Sequence, residues 1–189
     1  TAAAMLTLAT DKEKYAVGDD IKLNFSAPKG SRAYINIENG TEILKTYLVS
    51  EKDGNIDFSF KSEAYMSPNI YLSVSLIQPH ANTIDGLPIR LYGVIPVFVE
   101  DPSTILNPVI SSPSVMRPEE SSNIKVSEAN GKAMTYTLAI VDEGLLNLTR
   151  FKTPCPHSKF YAREALGVKY WDIYDDVIGA WGGQIQRIL

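Results

Sequence analysis

Hydrophobic and polar side chains alternate in short runs along the first hundred residues, with the period of two that a half-buried β-strand produces. Ile21, Leu23 and Phe25 show the alternation clearly, because polar residues stand between them. Comparable runs occupy 33–38, 43–49, 56–60, 70–77 and 89–99. About seven strands, with no helical pattern among them, predict an antiparallel β-sandwich over residues 1–101.

Turn signals separate these runs. Asn39-Gly40 lies between 33–38 and 43–49, and this pair accepts positive φ at little cost, so it predicts a hairpin. Asp53-Gly54 marks a second turn before the next run.

The chain changes character after residue 101. Prolines recur at Pro102, Pro108, Pro113 and Pro118, which indicates a linker into a second unit. Three further strands are predicted at 109–112, 123–127 and 134–141. Because three strands are too few to bury both faces of a sandwich, we expect residues 102–151 to form an incomplete second sandwich. Its remaining strands would come from chain beyond Leu189 or from another partner.

The tail, 152–189, changes to helical spacing. Ser158 can cap a helix that runs to Val168, because apolar residues follow at i, i+4 and i+7. A second short helix is predicted over 170–178, and because its apolar residues lie on more than one face we expect it to dock on a sandwich. Gly179–Gln186 is a natural flexible stretch.

Composition and charge exclude several classes of function. Hydrophobic residues make up 44% of the chain and charged residues 21%, which is typical of a globular protein. The 18 Lys and Arg residues against 22 Asp and Glu residues leave a net charge of -4, so nucleic acid is not an expected partner. Since no apolar run approaches the ~20 residues of a membrane span, membrane attachment would need an anchor outside this segment.

Cysteine and histidine are scarce. Cys155 is the only cysteine, so neither an intrachain disulfide nor a zinc site of several thiolates can form. His157 follows two positions later, but the flanking prolines favour an extended backbone that separates the two side chains. A site built on both His80 and His157 would have to join two separate units. The pattern favours a loop cysteine without a role.

Acidic and glycine-rich stretches also lack the spacing of a known site. Asp172 and Asp175 could share a helix face with calcium, but they do not fit the twelve-residue calcium loop, and a solvated helix face is favoured. The glycines at 179–183 are not followed by the Lys-Ser/Thr of a phosphate loop. We therefore predict no catalytic residue, metal or cofactor, and no enzyme activity.

Several stretches resemble one family. Residues 11–23, with Tyr15-Ala16-Val17-Gly18-Asp19, resemble the entry to a macroglobulin (MG) domain, where a Tyr-x-x-Gly-Asp turn precedes the second strand. Residues 136–154 resemble the strand of bacterial α2-macroglobulins that leads into the bait-region domain. Residues 160–168 and 171–179 are similar to the helical segment that follows there. The resemblance covers nearly the whole chain.

The resemblance implies a fragment of a large protease-trapping inhibitor. In that family a protease cuts an exposed bait, which releases a conformational change, and an internal thioester elsewhere can couple to the protease. The thioester motif is Cys-x-Glu-Gln, which Cys155-Pro156-His157-Ser158 does not match. The bait-region domain is inserted within an MG domain, which agrees with the incomplete second unit. Target proteases and neighbouring MG domains are the implied partners, and a periplasmic lipoprotein on the inner membrane is the implied location.

A bait must be extended and undocked, because a protease binds about eight to ten residues in extended form. Residues 160–178 are too apolar for that role, so we place the bait start at 179–189. Arg187 offers a trypsin-type site and Trp181 a chymotrypsin-type site. The candidate cleavage residues are Gly179, Trp181, Gly182, Gly183 and Arg187.

Two other classes of protein compete with this interpretation. Tandem sandwiches of an adhesin or carbohydrate-binding protein would present a flat aromatic platform, whereas Tyr47, Tyr65, Tyr71 and Tyr92 are scattered in the pattern. An accessory domain of a hydrolase would need catalytic residues outside the chain.

Overall fold

The computed structural model describes residues 4–79 and 90–171, and strands dominate the first hundred positions. These strands are β1 (Ala4–Met5), β2 (Ala9–Thr10), β3 (Lys14–Ala16), β4 (Asp20–Ser26), β5 (Arg32–Glu38), β6 (Ile43–Ser50), β7 (Asn55–Lys61), β8 (Asn69–Ile77) and β9 (Arg90–Glu100). Two compact units contain the described chain, one with residues from 1–100 and 163–171 and the other with Asp101–Ala162. The predicted segment limits 1–101, 102–151 and 152–189 stay a prediction.

The strands of the first unit form two sheets. The larger has the order β1-β9-β8-β5-β6, with β3 also paired to β9, and the smaller has the order β2-β4-β7. Neighbours pair antiparallel except β1 and β3, which run parallel to β9. The predicted antiparallel sandwich is confirmed, with two short parallel pairs added at β9.

One hydrophobic core joins residues of both sheets. Ile21, Leu23 and Phe25 of β4 are buried while the residues between them are exposed, as the alternation predicts. The larger sheet contributes Ile35 and Leu72, which have no exposed surface. Burying such side chains is the main favourable contribution to the stability of a sandwich.

The central strand β8 departs from simple alternation, because residues 69–74 are all buried. Leu72 and Val74 belong to the core, so Tyr71 and Ser73 lie on the opposite side of the sheet. We call this side the outer face. The outer face of a sandwich normally meets water, so its burial here requires a cover.

The two predicted turns differ in conformation. Asp53 (φ 53) and Gly54 (φ 84) both have positive φ, the combination that favours this pair in tight turns. Gly40 does not have positive φ, so that part of the prediction is wrong. Instead, the Asn39 side-chain oxygen accepts hydrogen bonds from the backbone N–H groups of Thr41 and Glu42, both at 2.8 Å. An Asx-type loop thus closes the predicted β5–β6 hairpin.

The Tyr-x-x-Gly-Asp turn is held by its tyrosine. Tyr15 is buried, and its hydroxyl donates to the Asp11 carboxylate and accepts from the Lys12 backbone N–H at 3.0 Å. Gly18 takes φ +96, and the Asp19 carboxylate accepts from the Ala16 backbone N–H at 3.2 Å. The bend between β3 and β4 also has a partner outside the motif, since the buried Ser62 hydroxyl donates to the Ala16 and Asp19 carbonyl oxygens at 2.7 Å and 3.0 Å.

Tyr15→Phe should lower the free energy of unfolding of the first unit by about 1 kcal/mol, because the ring stays buried while the Lys12 N–H loses its partner. Urea unfolding followed by circular dichroism measures the change. Tyr34→Phe is the control, since Tyr34 is 44% exposed. A Tyr15→Phe protein as stable as the control would show that the hydroxyl does not hold the bend.

The second unit contains one strand pair and two short helices. β10 (Pro108–Ser111) pairs antiparallel with β11 (Lys125–Glu128), followed by α1 (Glu143–Thr149) and α2 (Pro156–Phe160). Neither described helix is long and apolar enough to cross a membrane. The mainly β fold, with a second, incomplete sandwich and short helices, is confirmed.

Two element predictions in this unit are wrong. Residues 134–141 form neither strand nor helix, because a strand needs a hydrogen-bonded neighbour and the described part of the second unit supplies none for them. α1 lies within a stretch interpreted as a strand leading into the bait. It begins where the Asp142 carboxylate accepts from the Gly144 backbone N–H at 2.8 Å, a cap signal that the apolar pattern obscured.

The predicted helix from Ser158 to Val168 is also wrong. α2 ends at Phe160, and 162–171 contain no regular element. In a helix the N–H and carbonyl groups of this stretch would bond to each other, whereas here those of Glu164 bond to side chains of the larger sheet. The helix predicted over 170–178 lies outside the described residues, apart from 170 and 171, which are not helical.

Candidate functional site

The predicted bait residues Gly179, Trp181, Gly182, Gly183 and Arg187 lie outside the described residues. The structure describes the chain that leads into them. Residues 163–171, which we call the docked segment, lie on the outer face of the larger sheet.

Glu164 attaches the docked segment through its backbone. Its N–H donates to the Asn69 side-chain oxygen at 2.8 Å. Its carbonyl oxygen accepts from the Asn69 side-chain nitrogen at 3.2 Å and from the Tyr71 hydroxyl at 2.9 Å. Asn69 is buried, so its amide satisfies both backbone groups of one residue in the way a neighbouring strand would.

Two glycines let the docked segment approach the β5–β6 hairpin backbone to backbone. A Cβ atom placed on Gly167 would lie 1.8 Å from the Gly40 carbonyl oxygen. A Cβ atom on Gly40 would lie 3.1 Å from a carboxylate oxygen of Glu164 and 3.2 Å from the Ala165 carbonyl oxygen. Gly167 therefore requires glycine for space, whatever its φ angle, whereas a Cβ atom at Gly40 would fit only if its neighbours moved by a few tenths of an ångström.

Tyr170 covers the centre of the outer face. Its hydroxyl lies 2.8 Å from the Ser73 hydroxyl and 3.4 Å from the Asn36 side-chain nitrogen. Its ring centroid lies 5.5 Å from that of Tyr92. At the other end of the docked segment, the Arg163 guanidinium lies 5.3 Å from the centroid of Phe98.

Beside Tyr170, on the outer face, lies a buried carboxyl group. Glu38 has no exposed surface, and one of its oxygens accepts from the Ser73 hydroxyl. Among the described residues its other oxygen has no hydrogen-bond partner. Burial raises the pKa of Glu38, and the Ser73 hydrogen bond opposes that rise. Burial, and then the charge of Glu38, raise the pKa of Tyr92.

Cys155 and His157 have different partners in the structure. Cys155 is exposed, and hydrogen bonding to Ser158 lowers the pKa of its thiol. The Nε2 atom of His157 lies 3.0 Å from the Thr104 hydroxyl, and its ring stacks on Tyr161 at 4.5 Å. Of the described residues, no three His, Cys, Asp or Glu side chains form a metal-binding group. His80, Asp172 and Asp175 lie outside that part of the chain.

The tyrosines considered as a sugar platform have protein partners. Tyr71 and Tyr92 contact the docked segment. Tyr47 packs on Phe58 at 4.8 Å, and the Tyr65 hydroxyl lies 3.0 Å from the Glu63 carboxylate. These contacts use the rings in packing within the first unit, which disfavours a carbohydrate-binding platform.

Docking on a sandwich is predicted from the sequence for 170–178, and Tyr170 does contact the outer face, but the contacts of 163–169 are not predicted. Gly40 and Gly167 are the available signal, since a glycine can mark a close backbone approach, but neither names its partner. Glu38 stands at a polar position of the alternating run 33–38, and nothing in that pattern indicates that it is buried.

Comparison with known proteins points to one family. The family model described as alpha-2-macroglobulin bait region domain matches residues 6–148. Alpha-2-macroglobulin of Escherichia coli (strain K12) is 28% identical over 183 residues, which cover 94% of this chain and 11% of that protein.

Solved structures agree. The cryo-EM reconstruction of the native conformation of E. coli alpha-2-macroglobulin aligns with a TM-score of 0.55 and 26% identity, covering 92% of this chain and 11% of that one. The crystal structure of trypsin activated alpha-2-macroglobulin from E. coli aligns with a TM-score of 0.50 and 26% identity, covering 86% and 11%. The chain thus spans only 11% of the length of these relatives.

Proposed function

Since this chain belongs to the alpha-2-macroglobulin bait region domain family, we propose that it is a non-catalytic segment of a bacterial macroglobulin-type inhibitor that traps proteases after one of them cleaves a bait. The family match over 6–148 carries this proposal. The trypsin-activated state of a similar protein supports a protease as the trigger.

The cleavable bait begins, in this proposal, within 179–189. The docked segment supports this placement, because the chain is held on a rigid sheet as far as Tyr170 and a protease needs several residues free of such contacts. The partners are target proteases and the neighbouring MG domains of the parent chain.

We also place the parent protein in the cell envelope, in the periplasm and tethered to the inner membrane as a lipoprotein through an anchor outside this segment. The likeness to bacterial alpha-2-macroglobulins supports this location. Fractionation of cells that express the parent protein tests it, and recovery in the cytosol would contradict it.

Limited proteolysis of the chain tests the bait. Trypsin should cut after Arg187, and chymotrypsin after Trp181, at least about tenfold faster than either cuts within 4–79, because strands must open before they are cleaved. Mass spectrometry maps the earliest cuts. Arg187→Gln should remove the early trypsin cut and leave the early chymotrypsin cut unchanged.

Lys152→Gln is the control, because it removes an exposed basic residue from a loop far from the proposed bait in sequence. It should not change the rate at Arg187. First cuts near Pro102, or within the loops of the first sandwich, would overturn the bait assignment and favour ordinary tandem β modules.

A further inference from the structure

The docked segment meets the outer face through the backbone of Glu164 and the side chains of Arg163 and Tyr170, although most of its residues are exposed. We infer that it is an anchor that sets the upstream limit of cleavage. In this view residues 163–170 are withheld from proteases, and cleavage is confined to the chain that follows. The inference rests on the proposed function, since it concerns the boundary of the proposed bait.

The first support is the state of the backbone at Glu164. A protease binds its substrate as an extended chain and must form hydrogen bonds to substrate N–H and carbonyl groups. At Glu164 both groups are already bonded, to Asn69 and Tyr71. A protease would have to break three hydrogen bonds before it could bind this residue.

The second support is the fit at Gly167. A protease cleft has to surround the cleaved chain, but the Gly167 backbone lies against the Gly40 carbonyl with no room for even a methyl group. Nothing of a protease's size can enter between them while the segment is docked. The same closeness makes Gly167 the position where the smallest substitution would release the segment.

The third support is the change in burial at the end of the segment. Tyr170 is 41% exposed, and its hydroxyl is hydrogen-bonded to the Ser73 hydroxyl at 2.8 Å. Trp171 is 80% exposed. Within residues 163–171, Tyr170 is therefore the last residue with a hydrogen bond or ring contact to the sheet.

The docked segment contains two trypsin sites whose cleavage rates report whether its backbone is accessible. Arg163 and Lys169 are exposed basic residues, so trypsin can reach both side chains. Because the Arg163 guanidinium packs over Phe98, Lys169 is the better reporter of the state of the backbone. Slow cleavage after Arg163 and Lys169 would show that the backbone is withheld.

Gly167→Ala in the full chain tests the anchor. In the unsubstituted chain, trypsin should cut after Arg163 and Lys169 slowly, at a rate comparable to that within the strands. In the variant these two cuts should become at least about tenfold faster, because the methyl group forces the segment off Gly40. Hydrogen exchange in β4 should stay unchanged, since the smaller sheet takes no part in docking.

A second variant guards against loss of folding. Tyr71→Phe keeps the buried ring and removes the hydroxyl that donates to Glu164, so it should speed the same two cuts by a smaller factor. Tyr65→Phe is the matched control, because its hydroxyl bonds to Glu63 and not to the docked segment. It should leave both rates unchanged.

The outcomes separate the anchor from the bait. Rapid cleavage after Lys169 in the unsubstituted chain would overturn the anchor. The anchor would also be overturned if Gly167→Ala had no effect and Tyr71→Phe and Tyr65→Phe were cleaved at equal rates. Neither result would bear on the early cuts expected at 179–189. An absence of early cuts at 179–189 would overturn the proposed bait instead, whatever happens at Arg163 and Lys169.

Discussion

Replacing Ile35 by alanine should lower the free energy of unfolding of the first unit by about 3 kcal/mol. Ile35 has no exposed surface, and its neighbour in the sheet register, Val74, also belongs to the core. Removing three carbons leaves a cavity between two sheets that are tied by long hydrogen-bonded strands and cannot easily collapse.

Urea unfolding followed by circular dichroism measures the loss, and hydrogen exchange in β5 and β8 assigns it to the first unit. Tyr34→Ala is the control on the same strand, since Tyr34 is 44% exposed and projects from the opposite side of the sheet. It should cost less than about 1 kcal/mol. Equal losses in the two variants would contradict the assignment of faces.

The free energy of unfolding of the unsubstituted protein should fall as pH rises, and Glu38→Gln should remove that fall. Burial raises the pKa of Glu38 above its ordinary value, so the folded state holds the proton more tightly than the unfolded state does. The resulting stabilisation is complete below the unfolded pKa and is lost as pH rises through the folded pKa. Within that window the free energy of unfolding should fall with rising pH, with about 1.4 kcal/mol per pH unit as the upper limit for one group.

Unfolding free energies measured between pH 4 and pH 8 test this prediction. The variant should gain stability relative to the unsubstituted protein as pH rises, because an amide does not titrate. Tyr92, the titratable neighbour coupled to Glu38, does not interfere, since its pKa is raised from an already high value. Glu42→Gln, an exposed carboxyl in the same hairpin, should keep the slope. Parallel curves for Glu38→Gln and the unsubstituted protein would rule the effect out.

Alternation predicted the first sandwich well because it follows directly from strand geometry, in which successive side chains point to opposite faces of the sheet. In β4 and β5 every second side chain meets the core, so the pattern of residues 21–25 and 33–37 is the pattern of burial. Turn conformation depended on more than the dipeptide. Asp53-Gly54 adopts positive φ, but a longer loop at Asn39 uses the asparagine side chain instead.

The second unit shows where local pattern fails. Residues 134–141 are strongly β-forming, yet a strand exists only when another strand accepts and donates its hydrogen bonds. The apolar spacing after Ser158 likewise favoured a helix. The chain there gains more from bonds to Asn69 and Tyr71 than from continuing α2.

The core positions, the first sandwich and the family were readable from residue order alone, because each depends on periodicity or on short motifs. The docking of 163–169, the partners of Tyr170 and the burial of Glu38 were not. Glu164 and Asn69 are separated by 95 positions, and Tyr170 and Ser73 by 97. Whether such residues meet depends on the surface that the folded sheet presents. A segment gives up its contacts with water only where that surface supplies hydrogen-bond and packing partners in their place.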